Sequence, residues 1–254
     1  MKPNPLEAFG RDHPWVVGVA STPEVLFADA EGLASACDIL EVRVDLLEDG
    51  LGVRRRVHEL GQLGLPVLIT VRGTGEGGKF SGTDEERLEH YEVWGEVASM
   101  FDVELGAGAG VLSGVRSVGR KHGALTMASF HDFQQTPSTE ALEVLIGRAR
   151  EAEMDAVKLA VTLRGPSDLE RMEALVGTPR NFPVCVVGMG HLGYESRVSL
   201  PGAGSWLTYG FLGSANAPGQ PAANELVEAL RIEVPSYGLW RGGSGGMGAG
   251  KERL

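Results

Sequence analysis

Cysteine is nearly absent, with only Cys37 and Cys185 in 254 residues, so no disulfide framework is available. Cys37 closes a helical pattern and Cys185 lies in the apolar run PVCVVGM; both read as small buried hydrophobes. The six histidines are scattered and no HExxH or CxxC pairing occurs, so no metal site is expected. No apolar stretch reaches the roughly 18 residues of a membrane span. The opening MKPNPLEAFGRDHP has prolines and acids where a leader peptide needs a basic and then an apolar segment. A cytoplasmic protein with no membrane partner is expected. Basic residues are also short, 23 against 34 acidic, and the net charge of −11 works against nucleic acid as a partner. It does not bar a small anion, because fields beyond about 8 Å are largely screened in physiological salt.

What is present is a repeating alternation. Short apolar, β-branched runs occur at Trp15–Ala20, Ile39–Asp45, Val67–Arg72, Phe101–Leu105, Ala124–Phe130, Ala156–Val161, Val184–Met189 and Trp206–Tyr209. Amphipathic segments such as Asp84–Ser99, Ser138–Glu153, Ser167–Val176 and Ala222–Ile232 lie between them. Alternating strands and helices make right-handed βαβ units and a parallel sheet. Eight of them point to a (β/α)₈ barrel, and VASTPEVL after the first strand lacks the glycine fingerprint of an open nucleotide-binding sheet. The reading is a single TIM-barrel domain over 1–254, with the barrel at about 15–232 and a mobile glycine-serine tail at 242–254.

Charges inside barrel strands are expensive unless they serve the open C-terminal mouth. The second run places Glu41, Arg43 and Asp45 on one face, either as a structural ion-pair ladder or as a substrate-orienting cluster. The third ends at Arg72 and continues into a glycine-rich stretch, read as mobile backbone that can bring the Glu76 carboxylate over the mouth. The fifth carries His131 near its end, where a lone histidine is more often a satisfied structural residue than a catalyst. The sixth buries Lys158 between Val157 and Leu159, either in a structural ion pair or as a nucleophile, since a desolvated lysine attacks carbonyls. After the seventh run a glycine-rich loop leads past His191, read as a surface residue, to Arg197, whose guanidinium can fork onto a carboxylate. After the eighth, the loop Asn216–Gln220 can hold an amide over the same mouth.

These segments resemble one known family. EVRVD at Glu41–Asp45, TVRGTGEGG at Thr70–Gly78, SFHDF at Ser129–Phe133, AVKLAV at Ala156–Val161, GMGHLGYESR at Gly188–Arg197 and APGQ at Ala217–Gln220 are similar to motifs of type I 3-dehydroquinate dehydratases. They stand in that family's order, over roughly residues 15 to 232. The resemblance implies a (β/α)₈ barrel, usually a homodimer, without metal or cofactor, that dehydrates 3-dehydroquinate to 3-dehydroshikimate in the shikimate pathway of aromatic amino-acid biosynthesis. It implies Lys158 as the Schiff-base nucleophile, His131 as general acid/base and Glu76 as the group that orients His131. Glu41, Arg43 and Arg72 would hold ring hydroxyls, and Arg197 the carboxylate, with Asn216 and Gln220 in the closing loop.

This chain departs from the family pattern in three places. Asn216 stands where the family usually has Ser, Tyr209 where it usually has Phe, and the segment before Trp15 is short for the hairpin that plugs the barrel bottom. A short helix at Pro5–Phe9 or a neighbouring subunit is the expected substitute. Two rival readings use the same features: a transaldolase-type class I aldolase, and a dehydroquinase-like binding or regulatory domain without chemistry.

Overall fold

The computed structural model describes residues 9, 10, 12–47, 51–215 and 219–243. Its strands are β1 (Trp15–Ala20), β2 (Ile39–Arg43), β3 (Val67–Thr70), β4 (Met100–Glu104), β5 (Leu125–Asp132), β6 (Ala156–Thr162), β7 (Val184–Met189) and β8 (Leu207–Leu212). All are parallel and pair in the order β7-β6-β5-β4-β3-β2-β1-β8. The two ends of that ladder meet where the Trp206 N–H donates to the Val184 carbonyl at 3.1 Å. The sheet returns on itself as a nearly closed (β/α)₈ barrel.

Helices follow the strands. They are α1 (Pro23–Leu26), α2 (Ala30–Ala36), α3 (Leu51–Gln62), α4 (Asp84–Trp94), α5 (Ala109–His122), α6 (Thr139–Glu151), α7 (Pro166–Gly177), α8 (Gly193–Ala203), α9 (Ala223–Glu233) and α10 (Pro235–Gly242). Pattern reading finds α4, α6, α7 and α9 but not α5, whose glycines and serines are poor helix formers. Val111, Leu112, Val115 and Val118 nonetheless fall on one side of α5 and are buried. Packing overrides propensity there. The entry to α4 is set locally: Thr83 Oγ1 accepts the Glu86 N–H and Glu86 Oε2 accepts the Thr83 N–H, a reciprocal cap worth about 1 kcal/mol.

Period-two alternation divides each strand between two cores. Val16, Leu40, Val42, Val67, Ile69, Phe101, Val103 and Val157 pack outward against the helices. Val17, Val19, Ile39, Leu68, Met100, Met127, Ala160, Val187 and Tyr209 fill the barrel. At its N-terminal end the barrel is closed by Phe9, whose ring meets those of Trp15 at 5.3 Å and Trp206 at 6.3 Å. Trp240 from α10 joins them, 4.8 Å from Trp15. Helix α10 was not foreseen; it lies between the expected end of the barrel at about 232 and the expected tail from 242. It is latched by Asp38, which accepts from the Val16 N–H and the Tyr237 hydroxyl and pairs with Arg241. Most of the expected Pro5–Phe9 helix, and the tail from 244 onward, lie outside the described residues.

Candidate active site

The C-terminal mouth of the barrel opens on a cavity of about 110 Å³, whose wall includes Glu41, Arg43, Arg72, Glu76, His131, Lys158, Arg197 and Gln220. Eight of the nine residues expected from sequence therefore share one hollow; the ninth, Asn216, lies outside the described residues. A larger hollow of about 380 Å³ opens at the other end, beside Trp206 and Arg180. Arg180 is engaged there with the carbonyls of Leu175 and Thr178 and with Glu143, and that hollow gathers no comparable set of reactive groups.

Lys158 is buried in mid-strand, with Nζ 3.1 Å from Asp102 Oδ2 and 4.2 Å from the centroid of the Tyr209 ring. The amine is thus ion-paired, the arrangement that the strand sequence had left open beside the nucleophile. Asp102 is the residue sequence reading missed. It sits at the centre of a buried network, with Oδ1 accepting from Arg72 Nη2 at 2.7 Å and from Ser129 Oγ at 2.5 Å. Burial alone would raise the Asp102 carboxyl, but the charges of Arg72 and Lys158 outweigh it and hold the group far below the usual carboxylate range. Arg72 also donates to Ser129 and pairs with Glu104. Its guanidinium is committed to the wall.

The β5–β6 register pairs Ser129 with Lys158, so His131, two residues on, stands on the same face about 6.6 Å nearer the mouth. Its Nδ1 lies 2.7 Å from Glu76 Oε2. Glu76 gets there from a 3₁₀ turn, Thr74–Glu76, held by bonds from the Thr74 N–H to Phe80 O and the Phe80 N–H to Arg72 O. The Asp45 carboxylate accepts both the Arg72 and Lys79 N–H groups while gripping Arg43 at 2.9 and 2.8 Å. Glu104 takes the Gly73 N–H and pairs with Arg87. The glycines here serve a pinned turn rather than a loose hinge. A Cβ at Gly78 would run into the Arg72 carbonyl, so only glycine lets the backbone close on itself.

Burial, then the charges of Arg72 and Lys158, push the His131 imidazole well below its ordinary value. Burial raises the Glu76 carboxyl to about 7, against the opposing pull of Arg72. The two groups touch and titrate as a pair. With the imidazole neutral and its Nδ1–H donating to Glu76, Nε2 is left as an acceptor.

Arg197 rides on α8, not in the loop before it, and is buried. Its Nη1 donates to the carbonyls of Gly188 at 2.6 Å and Gly193 at 2.8 Å, and its Nε to that of Tyr209 at 3.0 Å. Arg43, Arg72, Arg87 and Lys158 each pair with a carboxylate; Arg197 pairs with none among the described residues. Burial lowers its pKa to about 10, which still leaves a cation at neutral pH. The loop bearing Gln220 lies close by: a Cβ at Gly219, where φ is +74°, would strike the Gly190 carbonyl.

A family model for type I 3-dehydroquinase matches residues 16–235. The chain belongs to the type I 3-dehydroquinase family. A 3-dehydroquinate dehydratase of Methanocella arvoryzae is 37% identical over 204 residues, covering 80% of this chain and 90% of that protein. One from Methanothrix thermoacetophila is 35% identical over 213 residues, covering 81% and 88%. The crystal structure of a type I 3-dehydroquinate dehydratase from Clostridium difficile with covalently modified comenic acid superposes with a TM-score of 0.75. It is 25% identical, with 87% of this chain and 92% of that one covered.

In this 3-dehydroquinase-family chain the raised Glu76 carboxyl makes a stability prediction. Its folded pKa of about 7 lies above the ordinary 4.5. The stability it contributes is therefore fully present below pH 4.5 and is lost as pH rises through 7. Glu76→Gln, neutral at every pH, is expected to be more stable than the parent at pH 8 by about 1–3 kcal/mol, a few degrees in Tm. The gap should close as pH falls toward 4.5. Thermal melts at pH 5 and pH 8 check it; equal gaps at both pH values would mean that Glu76 is not held neutral by burial.

Proposed function

We propose that this protein dehydrates 3-dehydroquinate to 3-dehydroshikimate, a step of aromatic biosynthesis, through an imine on Lys158. The observation that carries the reading is the convergence in one cavity of a buried lysine, a His–Glu pair and a buried arginine without a carboxylate partner among the described residues. An amine, an acid/base group and a cation aimed at an anion are the parts an acidic keto substrate requires.

His131 Nε2 takes a proton from the Lys158 ammonium, the freed amine adds to the ring ketone to give a carbinolamine, and His131 returns the proton to the departing hydroxyl, so that water leaves and a protonated imine remains. That imine draws electrons from the neighbouring C–H bond, so the neutral imidazole removes the proton and an enamine forms. The enamine expels the β-hydroxyl, which takes a proton and leaves as water. Hydrolysis of the conjugated imine, with His131 activating the water, frees the enone and restores the amine. Glu76 keeps Nδ1 occupied so that Nε2 faces this work.

Arg197 receives the substrate carboxylate through its Nη2 hydrogens, since the other three are bonded to carbonyls. A buried cation without a counterion is costly, and an arriving carboxylate relieves that cost. Glu41, with one oxygen already accepting from Thr70, and Arg43, held by Asp45, meet ring hydroxyls. Gln220 closes the loop side.

The reading is tested by incubating the protein with 3-dehydroquinate and sodium borohydride, then weighing the protein and its peptides. A single reduced adduct on the peptide containing Lys158 is expected. An unmodified protein, or an adduct on another lysine, overturns the assignment.

A further inference from the structure

The three buried tyrosines differ in one respect. The Tyr91 hydroxyl donates to the Asp102 carbonyl at 2.7 Å, and that of Tyr237 to Asp38 at 2.9 Å. The Tyr209 hydroxyl is equally buried and has no hydrogen-bond partner among the described residues. A buried, unpaired hydroxyl is destabilising and calls for an explanation, and a ligand that supplies the missing partner is one.

Its position favours a ligand over an accident of packing. Tyr209 points into the barrel, forms part of the wall of the 110 Å³ cavity and carries Lys158 Nζ 4.2 Å above its ring. The ring fills this place in the core without help from its oxygen, since the packed surface is apolar. Burial, followed by the negative groups around it, Glu41 and Asp102 among them, raises the hydroxyl well above its ordinary pKa. It keeps its proton and is a donor at any working pH.

We infer that the Tyr209 hydroxyl is a substrate-binding donor, reserved for a ring oxygen of the hydroxylated ketone that condenses with Lys158. The inference rests on the imine reading above and adds a residue to it. A bond present alike in the bound substrate and the transition state changes KM and leaves kcat nearly unaltered.

The test is Tyr209→Phe, measured by steady-state kinetics with 3-dehydroquinate, by melting temperature and by borohydride trapping, beside the parent protein. A rise in KM of roughly 2–12-fold is expected, the range for one neutral hydrogen bond. kcat should stay within about twofold. The ligand-free variant should melt at the same temperature as the parent or higher, because it loses an unpaired polar atom. The Lys158 adduct should still form. A fall in Tm would show that the hydroxyl has a partner inside the protein and would overturn the inference. So would an unchanged KM in a variant that turns over and traps normally, and that result leaves the imine reading intact. If the parent itself neither turns over nor traps, the imine reading fails and this inference falls with it.

Discussion

Lys158→Ala is expected to abolish turnover of 3-dehydroquinate and, at the same time, the borohydride adduct. The proposed covalent route has no fallback, because the replacement removes the one atom assigned to bond the ketone. The fold should survive in weakened form. Asp102 loses one donor at 3.1 Å but keeps Arg72 and Ser129 at 2.7 and 2.5 Å. The cavity walls that carry Arg197 and Arg43 do not depend on Lys158 for their bonds. Binding of 3-dehydroquinate, read by calorimetry, should therefore persist while chemistry disappears. The variant would count against Lys158 if it turned over at more than trace rates, or if a reduced adduct formed on another lysine.

His131→Ala should slow kcat by ~10²–10⁴-fold, the usual contribution of a positioned acid/base group. In the proposed mechanism the imidazole serves both imine formation and imine hydrolysis, so the variant is expected to accumulate covalent intermediate, seen as a mass increase before any borohydride is added. The pH profile gives a second signature. In the parent, activity should fall as pH drops through the titration of the His131–Glu76 pair, whose carboxyl lies at about 7. That limb should vanish in the variant. A parent-like profile at reduced rate would mean that another group moves the proton.

Much of the site was legible in the sequence. Glu41 and Arg43 alternate along β2, His131 ends β5 and Lys158 interrupts an apolar β6, and each of these is a local pattern that a strand's period of two makes readable. Asp102 was equally open to that logic. FDVEL places Asp102 and Glu104 on one face, as EVRVD does Glu41 and Arg43, but those acids end a strand with no motif to call attention to them. Arg197 was read correctly as a cation near the mouth and incorrectly as a loop residue. GHLGYESR is glycine-rich, and only packing against β7 and β8 makes its second half helical.

The alternation of strands and helices determined the barrel, because eight amphipathic repeats leave few other ways to bury their apolar faces. It also determined which side chains face the mouth, since one strand's facing is set within a few residues. Which of those side chains touch was decided only by the tertiary structure. Lys158 and Asp102 are 56 residues apart, as are Glu76 and His131 by 55. Their meeting depends on the stagger between strands and on a turn pinned by Asp45 and Glu104. The charge of Arg197 and the hydroxyl of Tyr209, each without a partner among the described residues, belong to the same class. Each is a statement about every neighbour at once, and a chain read one segment at a time holds no record of its neighbours across the barrel.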